Sequence, residues 1–301
     1  MTDVVFELEH VSFRYQRATA PTLEDVSLSI RRGEFVGIIG PTGSGKTTLL
    51  YLLAGVIPHY LHGDLTGEVR FAGQPTRALS LAQLSAHVGV VLQDPEAQLF
   101  NLLVRDELAW GLENRGLPRA EIAGRIERTL RFFGIERLRE RITYDLSGGE
   151  KQRVAVGAIH AISPEIYLFD NPTSQLDPVG ATTVIEAVRR LVDTHRLTIV
   201  MVEDKVDELV QHADRLLLLD RGRVVLDCPP REFCLQRDAL EAAGVRPPQI
   251  AELSYALLEA GLVLDSPPIT LEEATPLFED LLARRSAARS GAQAGPGEAA
   301  G

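Results

Sequence analysis

The sequence predicts an α/β fold: a parallel core sheet, a small antiparallel sheet ahead of it, a helical region in the middle, and a short helical extension towards the C-terminus. Three observations predict it. An apolar, β-branched run, Phe35-Val36-Gly37-Ile38-Ile39, meets a glycine-rich loop, Gly40–Thr47 (GPTGSGKT), and then a helical stretch, Thr48–Ala54. Two more short apolar runs, Ile166–Phe169 and Leu197–Val202, each end in acids, at Asp170 and at Glu203-Asp204. Ahead of the loop, Val4–Val11 reads as a strand and Thr22–Ile30 alternates apolar and polar residues, the pattern of half-exposed strands.

The remaining elements follow in order. Residues 63–77 hold turn glycines (Gly63, Gly67, Gly73) around a strand at Glu68–Phe71, and Val88–Leu92 is a strand ending at Gln93. From Arg119 the residues Ile122, Ile126, Leu130 and Phe133 share one helix face, so the middle of the chain is helical. Leu146-Ser147-Gly148-Gly149-Glu150 opens a helix running to Ile162, and another spans about Val179–Thr194. Leu216–Leu219 and Val224–Leu226 flank the turn Asp220-Arg221-Gly222 as a hairpin. Past Pro229-Pro230, helical patterns at Ile250–Leu258 and Leu271–Leu282 are interrupted by prolines. From Ala283 the sequence is low in complexity and reads as a disordered tail. The divisions are therefore 1–228 (with a helical subdomain at about 94–162), 229–282 and 283–301.

Composition narrows the function. Of 301 residues, 45% are hydrophobic and 24% charged, ordinary for a globular chain. A net charge of −11 argues against nucleic acid as a partner. Cys228 and Cys234 have no metal-ligand spacing and read as reduced thiols of a cytosolic protein. The N-terminal segment shows no secretory signal, and no apolar run approaches the roughly 20 residues that cross a bilayer.

The loop carries the chemistry. G-x-x-x-x-G-K-T between a strand and a helix turns backbone N–H groups inward, because glycine tolerates positive φ and has no Cβ to obstruct the approach. Those donors and the positive end of the following helix make an anion cradle. Gly40, Pro41, Thr42, Gly43, Ser44, Gly45, Lys46, Thr47 and Thr48 are the candidate phosphate-binding set. Within it, Lys46 reaches the β- and γ-phosphates and the Thr47 hydroxyl ligates Mg²⁺. Asp170, ending an apolar strand downstream, is placed to hold the same Mg²⁺. Ser147 and Glu150 have the spacing of a capping box; read alone this only starts a helix, or it also leaves the amides of Gly148 and Gly149 free for an outside anion. Tyr15 either packs in the small sheet or stacks on an adenine.

Together these residues resemble the nucleotide-binding subunits of ABC transporters. The phosphate loop, Gln93, the LSGGE signature at 146–150, the strand to Asp170 and the loop Ser174–Asp177 occur in that family's order. The segments Gln93–Phe100 (QDPEAQLF) and Arg105–Asn114 (RDELAWGLEN) are similar to those of energy-coupling-factor ATPases, and the resemblance spans residues 3 to about 282. It implies a P-loop NTPase of the ABC-cassette type, with parallel core sheet, antiparallel β subdomain, helical subdomain and C-terminal helical extension. It further implies ATP and Mg²⁺ as cofactors, and two subunits sandwiching two ATP molecules head to tail, each between one chain's phosphate loop and the other's Ser147, Gly148, Gly149 and Glu150. Tyr15 would stack on the adenine, and Gln93 would sense Mg²⁺ and the attacking water. The groove at 94–112 would receive a coupling helix of a transmembrane subunit, itself carrying a substrate-binding membrane subunit for a vitamin or metal ion. That puts the chain on the cytoplasmic face of the membrane.

Two positions depart from the family. Its catalytic glutamate after the strand aspartate is here Asn171, and its histidine facing the γ-phosphate aligns with Asp204. An amide cannot take a proton, and a carboxylate is repelled by a triphosphate unless protonated or turned away; loss of a general base costs about 10²–10⁴ in rate. The expectation is a site that binds ATP but cleaves it slowly, in the degenerate half of a heterodimer with a paralogue. The alternatives are an active homodimer, a soluble ABC ATPase outside transport, and a nucleotide sensor that couples to no membrane protein.

Overall fold

A computed structural model describes residues 3–174, 176–195, 197–261 and 266–293. In chain order its strands are β1 (Val4–Tyr15), β2 (Leu23–Arg31), β3 (Phe35–Ile39), β4 (Gly63–Phe71), β5 (Gln74–Pro75), β6 (Val88–Val91), β7 (Ile166–Asp170), β8 (Thr198–Val202), β9 (Arg215–Asp220) and β10 (Arg223–Cys228). They form two sheets. The smaller is antiparallel, in the order β2-β1-β4-β5. The larger has the order β10-β9-β3-β8-β7-β6, parallel except for the β9–β10 hairpin.

The unbroken apolar runs at 35–39 and 166–169 are those of strands buried on both faces. Side chains alternate across a strand, so each run feeds two cores. Val36 and Ile38, Leu168, Val200 and Val202, Leu217 and Leu219 pack with Phe6, Phe13, Leu23 and Ile30 of the small sheet and with the helix Lys46–Leu53. Phe35 and Ile39, Tyr167 and Phe169, Ile199 and Met201 face the other way, into a core shared with the middle helices. Those helices, Val104–Asn114, Arg119–Phe133 and Gly148–Ile162, converge at Gly157, where an added Cβ would lie 3.4 Å from Leu108 and 3.2 Å from Thr129. The predicted face is observed: Ile122, Ile126, Leu130 and Phe133 are all buried.

Beyond β10, helices Pro230–Leu235, Arg237–Ala242 and Gln249–Glu259 contribute Phe233, Cys234, Leu240 and Ala251 to that second core. Cys228 and Cys234 are free thiols, pushed up to about 11 and about 12 by burial, and so stay protonated. The last helix, Leu271–Gln293, corrects the expectation of a disordered tail from Ala283: residues 283–293 continue it. The run is rich in alanine and arginine, both strong helix formers, and a low-complexity reading overlooks that propensity. Residues 294–301 lie outside the described residues.

Candidate functional site

β3 delivers the chain to Gly40. A Cβ there would stand 2.0 Å from the Leu219 carbonyl oxygen on the neighbouring strand β9, so only glycine lets the loop start so close to the sheet. Gly43 has open space around it but a φ of 82°, so here the backbone conformation itself asks for glycine. The loop closes onto the N-terminus of the helix Lys46–Leu53.

Lys46 is 7% exposed. Its Nζ donates to the Gly40 carbonyl at 2.6 Å and the Pro41 carbonyl at 3.1 Å, and lies 3.4 Å from Asp204 Oδ1. Two of the three ammonium donors are thus taken by loop carbonyls, and Asp204 adds an ion pair. Lys46, Thr47, Gln93, Asn171 and Asp204 line one cavity of about 260 Å³.

Asp170 ends β7, buried. Burial pushes its carboxyl above the usual carboxylate range; a Thr47 hydrogen bond and the Lys46 charge pull it back, and the Asp204 charge raises it again. Its Oδ1 is buried without a hydrogen-bond partner. A buried carboxylate with one orphaned oxygen beside a threonine hydroxyl is an oxygen donor pair that fits a hard divalent cation such as Mg²⁺. Asn171 follows at φ 44°, a left-handed conformation that asparagine tolerates well. Its N–H donates to the Val202 carbonyl at 3.0 Å, and its buried Oδ1 also lacks a partner.

Comparison with known proteins agrees with this geometry. A family model described as ABC transporter matches residues 23–174. An ABC transporter ATP-binding protein of Pyrococcus abyssi is 43% identical over 258 residues, covering 86% of this chain and 92% of that one. The chain belongs to the ABC transporter ATP-binding family. Its relatives include the energy-coupling factor transporter ATP-binding protein EcfA1 of Halalkalibacterium halodurans, 39% identical over 88% of this chain and 94% of that protein. The solved structure of cbiO1 from Clostridium perfringens, described as part of the ABC transporter complex cbiONQ, superposes with a TM-score of 0.72 at 28% identity, covering 84% of this chain and all of that one. An ABC transporter ATP-binding protein of Methanosarcina mazei is 41% identical over 89% of this chain, which spans 45% of that protein's length. The fold is that of the ABC cassette, and the family implies ATP binding and hydrolysis.

In this ABC cassette the signature is a built capping box. Ser147 Oγ accepts from the Glu150 N–H at 3.4 Å, and Glu150 Oε2 accepts from the Ser147 N–H at 3.0 Å. Arg137 adds an ion pair to Glu150 at 2.7 Å, and these contacts hold the Glu150 carboxyl below its usual range. A Cβ on Gly149 would meet only Leu176, at 3.9 Å, so the approach to this helix start is open. None of residues 146–150 lines the cavity at Lys46. The chain thus carries the two halves of the predicted set apart.

Tyr15 packs edge-to-face on Phe13 at 4.8 Å and hydrogen-bonds Thr48 Oγ1 at 3.0 Å, which holds the ring beside the helix that follows the loop. Gln93 stands exposed just past β6. Asp177 caps the next helix by accepting from the Gly180 N–H at 2.6 Å; of the loop 174–177, Gln175 lies outside the described residues.

One feature escaped the sequence reading. Glu203 is 2% exposed and accepts from both the Thr173 N–H at 3.1 Å and the Thr173 hydroxyl at 2.8 Å. It thereby clasps the loop that carries Asn171 to the end of β8. Burial, with the Glu208 and Asp204 charges, pushes its carboxyl up to about 7 against the Thr173 hydrogen bonds. The available signal was an acid directly after the apolar run Leu197–Val202, the same signal that marked Asp170. Lys205 turns away to Glu208, 3.8 Å distant. Asp204 faces Lys46, its Oδ1 3.4 Å from the ammonium.

Proposed function

We propose that this chain is the ATP-binding subunit of an energy-coupling-factor type importer for a vitamin or metal ion, and the slow half of a heterodimeric ATPase. The observation that carries the reading is one cavity in which Lys46 and Thr47 meet Asn171 and Asp204. The groups suited to gripping a nucleotide are present, while the two positions that handle its terminal phosphate and the attacking water hold an amide and a carboxylate.

On this reading, the loop amides and Lys46 hold the phosphates. Thr47 and Asp170, with Gln93 nearby, would hold Mg²⁺, which when bound neutralises charge on the phosphate oxygens. Tyr15 stacks on the adenine. Asn171 can orient a water but takes no proton from it. Ser147, Gly148, Gly149 and Glu150 present their helix start to the nucleotide of a second, paralogous ATPase subunit. Relatives of about twice this chain's length, such as the Methanosarcina mazei protein, leave room for two cassettes on one polypeptide, which supports a paired arrangement. No helix among the described residues is long and apolar enough to cross a membrane, so attachment to the cytoplasmic face would run through a transmembrane coupling subunit and its substrate-binding membrane subunit.

The test is ATPase assay of the chain purified alone, wild type against Asn171→Glu with Asp204→His. Wild type turns over slowly, and the double variant gains about 10²-fold or more, the scale of a restored general base. Brisk hydrolysis by the wild-type homodimer overturns the slow-half assignment. Identification of the subunits that co-purify decides between transport and a soluble role.

A further inference from the structure

We propose that Asp204 is a specificity-determining residue that biases this site towards ADP over ATP by occupying, on Lys46, the place a terminal phosphate would take. The proposal rests on the nucleotide-binding reading above and adds a preference to it.

The ammonium of Lys46 is buried, so it cannot exchange its acceptors for water freely. Two of its three donors are used by loop carbonyls, and the Asp204 carboxylate stands 3.4 Å from the ammonium as its ion-pair partner. Asp204 differs from its partner: its side chain is 57% exposed against 7% for Lys46, so the aspartate can swing into solvent while the lysine stays. Lys46 is the only cation among the described residues that line the cavity, and Asp204 cancels it. The neighbouring Lys205 pairs with Glu208 at 3.8 Å and does not line this cavity. Asp170 and Glu203 add acidic groups close enough for the Asp204 charge to raise both of their carboxyls.

A polyphosphate must therefore displace Asp204 from Lys46 before it binds. A diphosphate competes only for the lysine. A triphosphate also brings further negative charge to the side from which the carboxylate has just been expelled. The second cost applies to ATP alone, and it is the basis of the preference.

The experiment is calorimetric titration of the full chain with ADP and with a non-hydrolysable ATP analogue, both with Mg²⁺, for wild type and Asp204→Asn. The substituted residue is exposed and keeps its shape, and circular dichroism confirms the fold. Removing one like charge at this range is expected to tighten the ATP analogue about tenfold more than ADP. Asp204→Ser, which shortens the side chain, shifts the ratio in the same direction. Equal changes for both nucleotides, to within about twofold, overturn the proposal even though nucleotide binding itself stands. Absence of binding by wild type and variants alike removes the nucleotide reading and the proposal with it. Brisk wild-type hydrolysis removes only the slow-half assignment, because the analogue still reads the ratio.

Discussion

Glu203 shows what a single buried carboxyl does to this molecule. Its folded value, about 7, lies above the ordinary 4.5, so between those values the folded chain holds a proton that the unfolded chain has released. The contribution to stability is then greatest at low pH and declines as pH rises from about 4.5 through about 7, by up to ~3 kcal/mol. Glu203→Gln keeps an acceptor for Thr173 and cannot ionise. Its melting temperature should fall less than that of wild type between pH 5 and pH 8; parallel slopes would show that the carboxyl is already solvated. Residue identity was readable in the sequence here, and residue direction was not. Lys46, Thr47 and Asp170 could be assigned because the motif fixes their backbone context. The turn of Asp204 onto Lys46 and the clasp of Glu203 on Thr173 depend on how β8 and the loop after β7 meet, which no local spacing encodes.

At the level of elements, the helix Gly148–Ile162 begins with a reciprocal cap that also leaves its first turn accessible from outside. Ser147→Ala removes the hydroxyl acceptor and costs about 1 kcal/mol of local stability. Since residues 146–150 are away from this chain's own cavity, the variant should leave its nucleotide affinity unchanged and slow turnover only when a second ATPase subunit is paired with it. Equal ATPase rates for pairs containing wild-type or Ser147→Ala chain would count against the head-to-tail sandwich. Elements were legible where periodicity and burial agree. β3 and β7 are buried on both faces and read as continuous apolar runs, and the face of Arg119–Phe133 is regular. β4 was longer than its pattern because Gly63, Asp64 and Gly67 have little strand propensity; pairing with β1 carries them. Gly67, at φ 78°, sits where a Cβ would come within 2.3 Å of the His10 carbonyl, at a break in that register.

Across the whole molecule, the helical subdomain carries an apolar surface that the described residues leave exposed. Phe100 and Trp110 meet edge-to-face at 4.7 Å, yet remain 53% and 47% exposed, with Leu102 at 60% and Tyr144 at 66% close by in the same subdomain. Clustered exposed aromatics mark contact sites more often than free surface. The sequence reading placed a docking groove at 94–112, and this patch lies within and beside it. The same subdomain shares its core with β3 and β7, the strands that hold the phosphate loop and Asp170. Glu107 braces the segment from beneath, accepting from the N–H groups of Phe100 and Asn101 at 3.1 and 2.8 Å, so the patch rests on ordered backbone. Replacing both rings, Phe100→Ser with Trp110→Ala, should leave nucleotide affinity within about twofold of wild type, since neither lines the cavity. The same change should remove most recovery of a membrane subunit when the tagged chain is purified in detergent, because truncated aromatic anchors typically cost more than 1 kcal/mol each. Undiminished recovery would place the membrane contact on another face of the molecule.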